Sequence, residues 1–519
     1  NLRGQLNYNL NTNLHSLTIL MGAERQEGLT NTFGNRTYGY NDERLNFSPV
    51  DYTRTYPTYI TGASSFIPNS TNDFGSMNRR FISFFGNAAY TYREKYILNV
   101  SARKDASNLF GLNTNDKWSP LWSAGVAWQL SKESFYTLNW LPELKLRATY
   151  GYSGNVDQAL TAATITTAGI TSVYTQGATS RFAQYANPEL RWEKVAMLNT
   201  AIDFATAANR LSGSIEYYHK KSTDLYGVTP TDYTAVSASS LTKNVAEISA
   251  SGFDFNVNSR NLVGAFKWNT ALNANYYKDK VLAYYRSNTA ANAFVGNGQV
   301  VTGQVGMPVY ALFSYRFKGL DAKTGDPLGY YQNTISKNYN DIIGSNTTID
   351  DLVYHGTAFP KWFGNINNTF SWKNLSLSVN VSYKLAYYFR RNSINYSNLF
   401  ERAIGHSDFA QRWQNPGDEL ITTVPSMVYP AVSRRESFYA GSEVLVERGD
   451  HIRLQFINLN YKITKQFIKR MPFNSIDIYA NAQNLGVLWM RNKVGVDPDY
   501  RTGFLPEGKT IAFGLRVEF

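Results

Sequence analysis

The chain has no cysteine in 519 residues, which excludes disulfide stapling and thiolate metal sites while leaving the compartment open. It also has no apolar run approaching the roughly 18 residues of a spanning helix. That argues against a helical membrane protein but not against a β-barrel, in which half the strand residues are polar. Charge is sparse at 17%, and the excess of 51 Lys and Arg over 39 Asp and Glu, +12 in all, is scattered among strands and turns. Without a basic helix or a block of like charge, nucleic acid is not expected as a partner, and the charge is assigned to a solvated lumen and to turns. Only five histidines occur, His15, His219, His355, His406 and His451. They are isolated from one another and in no metal-ligand spacing, so each is read as a solvated strand or loop residue. No targeting segment precedes Asn1, which already lies in an alternating stretch. The expectation is therefore the C-terminal part of something longer.

What the chain has in quantity is aromatic and polar alternation: 37 Tyr and 30 Phe at a mean hydropathy of −0.36. Residues 509–519 show the pattern in its simplest form. Ile511, Phe513, Leu515, Val517 and Phe519 fall on one side of an extended chain, and Ala512, Gly514, Arg516 and Glu518 on the other. Similar patterns run through 1–10, 14–21, 79–92, 96–103, 121–130, 144–150, 196–204, 211–218, 248–258, 266–277, 362–370, 375–383, 452–463 and 476–484. That makes about fifteen strands, many of roughly the 9–11 residues needed to cross a bilayer at a tilt. Within 452–463 the apolar parity shifts from Leu454 and Phe456 to Ile457, Leu459 and Tyr461, which predicts a bulge.

The connections alternate between short or medium (11–13, 93–95, 131–143, 206–209, 259–264, 371–374, 464–474) and long (22–78, 104–119, 151–192, 222–246, 278–360, 385–450, 485–508). Outer-membrane barrels have short periplasmic turns and long extracellular loops, whereas a soluble sandwich needs polar turns at both ends. The reading is all-β: a transmembrane antiparallel up-and-down β-barrel, with residues 1–519 as one portion of it. A complete bacterial barrel has an even strand count, so an odd number of strands is expected before the first one here. Tyr8, Tyr92, Tyr96, Trp128, Tyr150, Tyr217, Tyr276 and Tyr383, near strand ends, are expected to form the interfacial girdles.

Several segments also resemble one family. Arg103-Lys-Asp-Ala-Ser-Asn-Leu-Phe-Gly111, Trp118-Ser-Pro-Leu-Trp-Ser-Ala-Gly-Val-Ala-Trp128 and Leu144–Asn155 come in its order, followed by Asn187-Pro-Glu-Leu-Arg-Trp-Glu193 and Tyr217–Leu225. Further on stand Arg412-Trp-Gln-Asn-Pro-Gly417, Arg453-Leu-Gln-Phe-Ile-Asn-Leu-Asn-Tyr461, Asn481-Ala-Gln-Asn-Leu485 and Gly495-Val-Asp-Pro-Asp499. In these the chain resembles the C-terminal part of the barrel of SusC/RagA-type TonB-dependent transporters of the Bacteroidota outer membrane. Lys104, Ala106 and Leu121 depart from the family pattern without touching an inferred role. The resemblance implies a barrel of about 22 strands, a plug domain and a TonB box, and no residue here corresponds to the plug, the box or the first strands. It also implies import of large nutrients, oligosaccharides or oligopeptides, energised through TonB, with a SusD-like surface lipoprotein as lid. The terminal Phe519, with Phe513, Leu515 and Val517, resembles the signal read by the barrel assembly machinery.

No catalytic constellation, cofactor motif or metal-ligand pattern is evident. The acids of Asp321-Ala-Lys-Thr-Gly-Asp326 and of Asp341 to Asp351 miss the EF-hand spacing and read as turn chemistry, and Gly-Asn-Gly at 296–298 reads as a turn. Tyr52, Tyr56, Tyr59, Phe66 and Trp413 lie in long loops. They are candidates for contact with substrate or with the lid, or for packing the loops themselves. Active import is one functional class; a passive porin or structural surface barrel is the alternative, and a soluble β-rich adhesion or carbohydrate-binding protein is a third.

Overall fold

The computed structural model describes the chain except residues 35, 60, 69–72, 110–117, 169–170, 173, 231–239, 285–289, 297–300, 465–471, 501–505 and 519. Fifteen strands form one sheet: β1 (Leu2–Asn11), β2 (His15–Gly34), β3 (Asp73–Tyr92), β4 (Tyr96–Ser107), β5 (Trp118–Gln129), β6 (Glu143–Asn155), β7 (Glu193–Ala205), β8 (Leu211–Pro230), β9 (Ser240–Val263), β10 (Phe266–Tyr284), β11 (Trp362–Trp372), β12 (Leu375–Leu385), β13 (His451–Thr464), β14 (Ser475–Met490) and β15 (Thr510–Glu518). Each pairs antiparallel with its neighbours in chain order, and β1 and β15 are the two edges. These are the strands that the alternation predicts. Among the described residues no helix is long and apolar enough to cross a membrane, which says nothing of crossing by strands.

Register carries the two-faced pattern from strand to strand. Leu375, Leu377, Val379 and Val381 of β12 stand opposite Tyr461, Leu459, Ile457 and Leu454 of β13, while Ser376, Ser378 and Ser382 stand opposite Asn460, Asn458 and Arg453. One face of the sheet is thus apolar and the other polar over whole rows. The apolar face is left bare: Phe513 is 82% exposed and Leu515 62%. On the polar face Arg147 of β6 grips Asp203 of β7 with two hydrogen bonds of 2.7 and 2.9 Å and reaches Glu216 of β8 at 3.0 Å. The predicted bulge is present, centred on Gln455, which is skipped in the pairing with Asn380 and Val381. It lies one residue earlier than the apolar pattern suggests, so Phe456 pairs with Asn380 on the polar side.

Aromatic rings gather at two levels on the apolar face. At the short-turn end Tyr92, Tyr96, Trp128 and Phe135 follow one another with ring centroids 6.3–6.5 Å apart. Tyr96 Oη and Trp128 Nε1 donate to Glu133 Oε1 at 2.6 and 2.9 Å, and these bonds hold the Glu133 carboxyl down to about 2. Further up, Trp122 packs against Tyr150 and Tyr152 at 5.9 and 5.6 Å. Ala102 pairs with Trp122 and Tyr96 with Trp128, so the two levels are six residues, or about 20 Å, apart along β4. A strand tilt of about 40° reduces that to about 15 Å of height, which falls within a barrel's apolar band of about 25 Å.

The long connections are shorter than the alternation predicts. β2 and β3 stay paired out to Gly34 and Asp73, and β8 and β9 out to Pro230 and Ser240. Beyond the apolar band the outer face has no lipid to meet, so alternation stops while backbone pairing continues. At the other end β9 and β10 close to a turn of two residues, with a bulge at Asn261. The two longest connections, between β10 and β11 and between β12 and β13, fold into a cap with its own core. Phe438 in the helix Ser433–Ala440 is buried against Tyr315 and Tyr339, ring centroids 5.9 and 5.6 Å away. The strands Ala311–Tyr315 and Leu352–Thr357 pair beside it. Across them Ser314 Oγ lies 2.5 Å from His355 Nε2.

Two outcomes follow from these contacts. Val379→Arg should destabilise the folded barrel by about 2–4 kcal/mol, whereas Asn380→Arg, on the polar face, should be tolerated. Folded fraction after refolding into lipid vesicles reads this, and equal effects at both positions would defeat the assignment of the two faces. The cap should also loosen in acid. Burial, with the Arg390 charge adding to it, pushes His355 from 6.5 down to about 4. An unfolded imidazole binds its proton near pH 6.5 and the folded one only near 4, so stability complete above 6.5 drains as pH falls between those values. Amide exchange of 311–315 and 352–357 should rise over that window, and His355→Gln should flatten the response.

Candidate functional site

The cap joins the strand tops at several fixed points. Asp279 Oδ2 in β10 accepts the Val309 N–H at 2.6 Å, and Asp450 Oδ1, just before β13, accepts the Ala386 N–H at 2.5 Å. Burial pushes the Asp279 carboxyl up, against the hydrogen bond from Val309. The segment Gly495-Val-Asp-Pro-Asp499 is pinned to β12 and β13. Arg453 donates to both oxygens of Asp497 at 2.6 and 2.7 Å, Lys384 meets Asp499 at 2.7 Å, and His451 Nε2 lies 3.3 Å from Asp499 Oδ2. Burial opposes ionisation of Asp499, but the bonds from His451 and Lys384 win and hold its carboxyl well below the usual carboxylate range. His451 is therefore not the solvated residue expected from its isolation in sequence; it is buried, with Nδ1 2.9 Å from the Gly449 carbonyl. His355 is likewise inside the cap. Both have partners distant in sequence, which spacing does not reveal.

Between the two cap loops lies a cavity of about 680 Å³. Three segments form most of its wall: one around Asn292 and Gly296, one from Arg390 to His406, and one face of the helix Ser433–Ala440 through Arg434 and Ser437, with Tyr315, Ile343 and Leu445 completing it. The helix face follows from spacing, since residues three and four apart share a side. Arg391 is ion-paired to Asp408 at 2.5 Å, and Ser393 Oγ donates to the same carboxylate at 2.6 Å. Burial raises the Asp408 carboxyl, and the Ser393 and Arg391 contacts more than reverse it. Arg390 is 8% exposed and donates to the carbonyls of Gly296 and Phe313. Arg435, one residue from Arg434, turns into the core instead, bonding Asp326 at 2.9 Å and Glu436 at 3.1 Å.

The loop aromatics separate into two groups. Tyr56 and Phe66 belong to a small hairpin, Thr55–Pro57 with Ser64–Phe66, and Tyr59 in its tip is fully exposed. Tyr52 adjoins it, 6.4 Å from the Tyr38 ring. Trp413 is elsewhere and inside: buried, against Gly325, with its indole N–H 3.2 Å from Glu419 Oε2. Its surroundings are those of loop packing. Of the closing-strand residues, Phe513, Leu515 and Val517 lie on β15, and Phe519 is outside the described residues. The acids of 321–326 are occupied within the chain: Asp321 Oδ1 accepts the Lys323 and Thr324 N–H groups at 2.9 Å each, and Lys337 meets Asp321 at 3.1 Å. Among the described residues no group of three or more His, Asp or Glu could hold a metal ion. Sequence reasoning missed Arg390, Arg391 and Arg434; the doublets Arg390-Arg391 and Arg434-Arg435 were the visible trace, with nothing to say which member turns inward.

Comparison with known proteins agrees with this geometry. A TonB-dependent receptor of Formosa agariphila is 26% identical over 97% of this chain, and the TonB-dependent receptor SusC of Bacteroides thetaiotaomicron is 21% identical over 96%. The chain spans about half the length of these curated relatives, 51% and 53%. Among solved structures, the RagAB peptide importer in its closed-closed state superposes with a TM-score of 0.76 at 20% identity, over all of this chain and 55% of that one. Residues 1–485 match the family described as TonB dependent receptor-like, beta-barrel. The chain thus belongs to the TonB-dependent receptor β-barrel family, whose members lie in the outer membrane.

Proposed function

We propose that residues 1–519 are the C-terminal portion of the barrel of an active importer, a transporter rather than an enzyme. It carries large nutrients, oligosaccharides or oligopeptides, through the outer membrane, is energised through TonB, and works with a SusD-like surface lipoprotein. The observation that carries this reading is a folded cap enclosing a polar cavity at the long-loop end of a sheet whose other face is polar along whole rows. A passive pore needs an open mouth; a cap with its own aromatic core suits a gated route and a partner. Family membership and the names of the relatives point the same way. For the partner, the exposed hairpin of Tyr56, Tyr59 and Phe66 with Tyr52 is the docking candidate; Phe513, Leu515 and Val517 present the outer side of the closing strand to lipid, and with the terminal Phe519 they are the sequence signal for the assembly machinery.

Loss of TonB, or collapse of the proton gradient, should abolish accumulation of labelled oligomers by cells expressing the full receptor. Accumulation that persists at the same rate would make the barrel a passive pore. Replacing Tyr59 and Phe66 together by alanine should lower the yield of copurified lipoprotein several-fold while leaving the amount of receptor in the membrane unchanged. An unchanged yield would move docking to another part of the cap.

A further inference from the structure

The cavity between the two cap loops has an unusual charge balance. Arg390, Arg391 and Arg434 are all on its wall, and no Asp or Glu is among the residues that line it. Arg391 is neutralised from behind by Asp408, and the nearby Arg435 and Arg448 have their own carboxylates in Asp326 with Glu436 and in Asp450. Arg390 and Arg434 form no ion pair among the described residues. For Arg434, exposed at the rim, that is cheap. For Arg390 it is not, because a buried cation without a counter-charge costs several kcal/mol even when some of its hydrogen bonds are made. Its two terminal nitrogens hold carbonyl oxygens, and its Nε is buried without a partner. Burial pulls its pKa down to about 10, and its positive field is felt by His355. A purely structural clamp accounts for the two carbonyl contacts but not for the missing carboxylate.

We infer that this cavity is a subsite for an oxyanion on the cargo, a carboxylate carried by an acidic sugar or by a peptide terminus, with Arg434 as its exposed contact and Arg390 as the buried charge behind it. Arginine suits the task, since its planar fork matches a carboxylate and stays charged when partly desolvated. Asn292, Asn392 and Ser437 on the same wall supply neutral donors and acceptors for the uncharged remainder of an oligomer. The inference rests on the importer reading above, but it concerns binding and not energised uptake, so the two can fail separately.

The test is equilibrium binding to the purified full-length receptor in detergent, with two matched pairs of probes. One pair is tetragalacturonate and maltotetraose; the other is tetra-alanine with a free C-terminus and its amide. In one pair the carboxylated member should bind about tenfold more tightly than the neutral one, the worth of roughly one charge-assisted hydrogen bond, and that pair names the source of the anion. Arg434→Gln should remove most of the difference while leaving the neutral probe's affinity alone. Arg390→Gln should do the same, with proteolytic protection of the cap followed in parallel to show that it has stayed folded. No preference for the carboxylated member in either pair, or a preference that survives Arg434→Gln, would overturn the subsite. Intact carboxylate-dependent binding in a receptor whose uptake ignores TonB would instead overturn the importer reading and leave the subsite standing.

Discussion

The backbone hydrogen bond between neighbouring strands is the constraint from which the rest of this structure descends. In hydrocarbon no water replaces an unmade bond, so every N–H and C=O inside the membrane has to find its partner in the next strand. Continuous pairing over fifteen strands then forces a period of two on every side chain: one toward lipid, the next toward the polar side. The same constraint explains why bulges are few and placed. At Gln455 the extra residue is absorbed where its side chain can donate to Ser382 at 2.6 Å, and the chain returns to register with Ile457 opposite Val379.

Where lipid ends, the demand for pairing weakens and other interactions take over. The strands continue as polar ribbons, and at the top of β10 to β13 a second kind of folding begins, with aromatic rings packed round Phe438 and buried charges cross-linking segments far apart in sequence. Arg435 ties Asp326 to Glu436, and Asp499 collects Lys384 and His451. The cap is therefore closer in its physics to a soluble domain than to the barrel that carries it. Its tethers at Asp279 and Asp450 fix it to the tops of the strands.

That difference decides what could be read from sequence. Strand positions were legible because each reports its environment locally: Leu375 to Tyr383 alternate whatever the neighbouring strands contain. The position of the bulge was legible to within one residue for the same reason. Strand ends were not, since pairing persists from Lys221 to Pro230 after the lipid-facing pattern has gone. The cap was illegible altogether. Nothing local distinguishes Trp413, which is buried, from Tyr59, which is bare, or Arg434 at the cavity rim from Arg435 in the core. Those fates depend on contacts between segments about a hundred residues apart, such as Arg435 with Asp326.

A division of labour follows from the two kinds of folding. The sheet asks only for parity, so almost any apolar residue serves toward lipid and almost any polar one on the other face. A chain under that rule can change most of its side chains and keep its fold. The cap asks for particular partners, because each buried charge in it needs its own counter-charge or pays a desolvation penalty. Change there is expensive unless it is compensated, and Arg390, with two carbonyl contacts and no carboxylate partner among the described residues, is the exception for which the proposed subsite accounts. Selectivity is thus expected to reside in the cap, held at fixed points above a wall that is generic by construction.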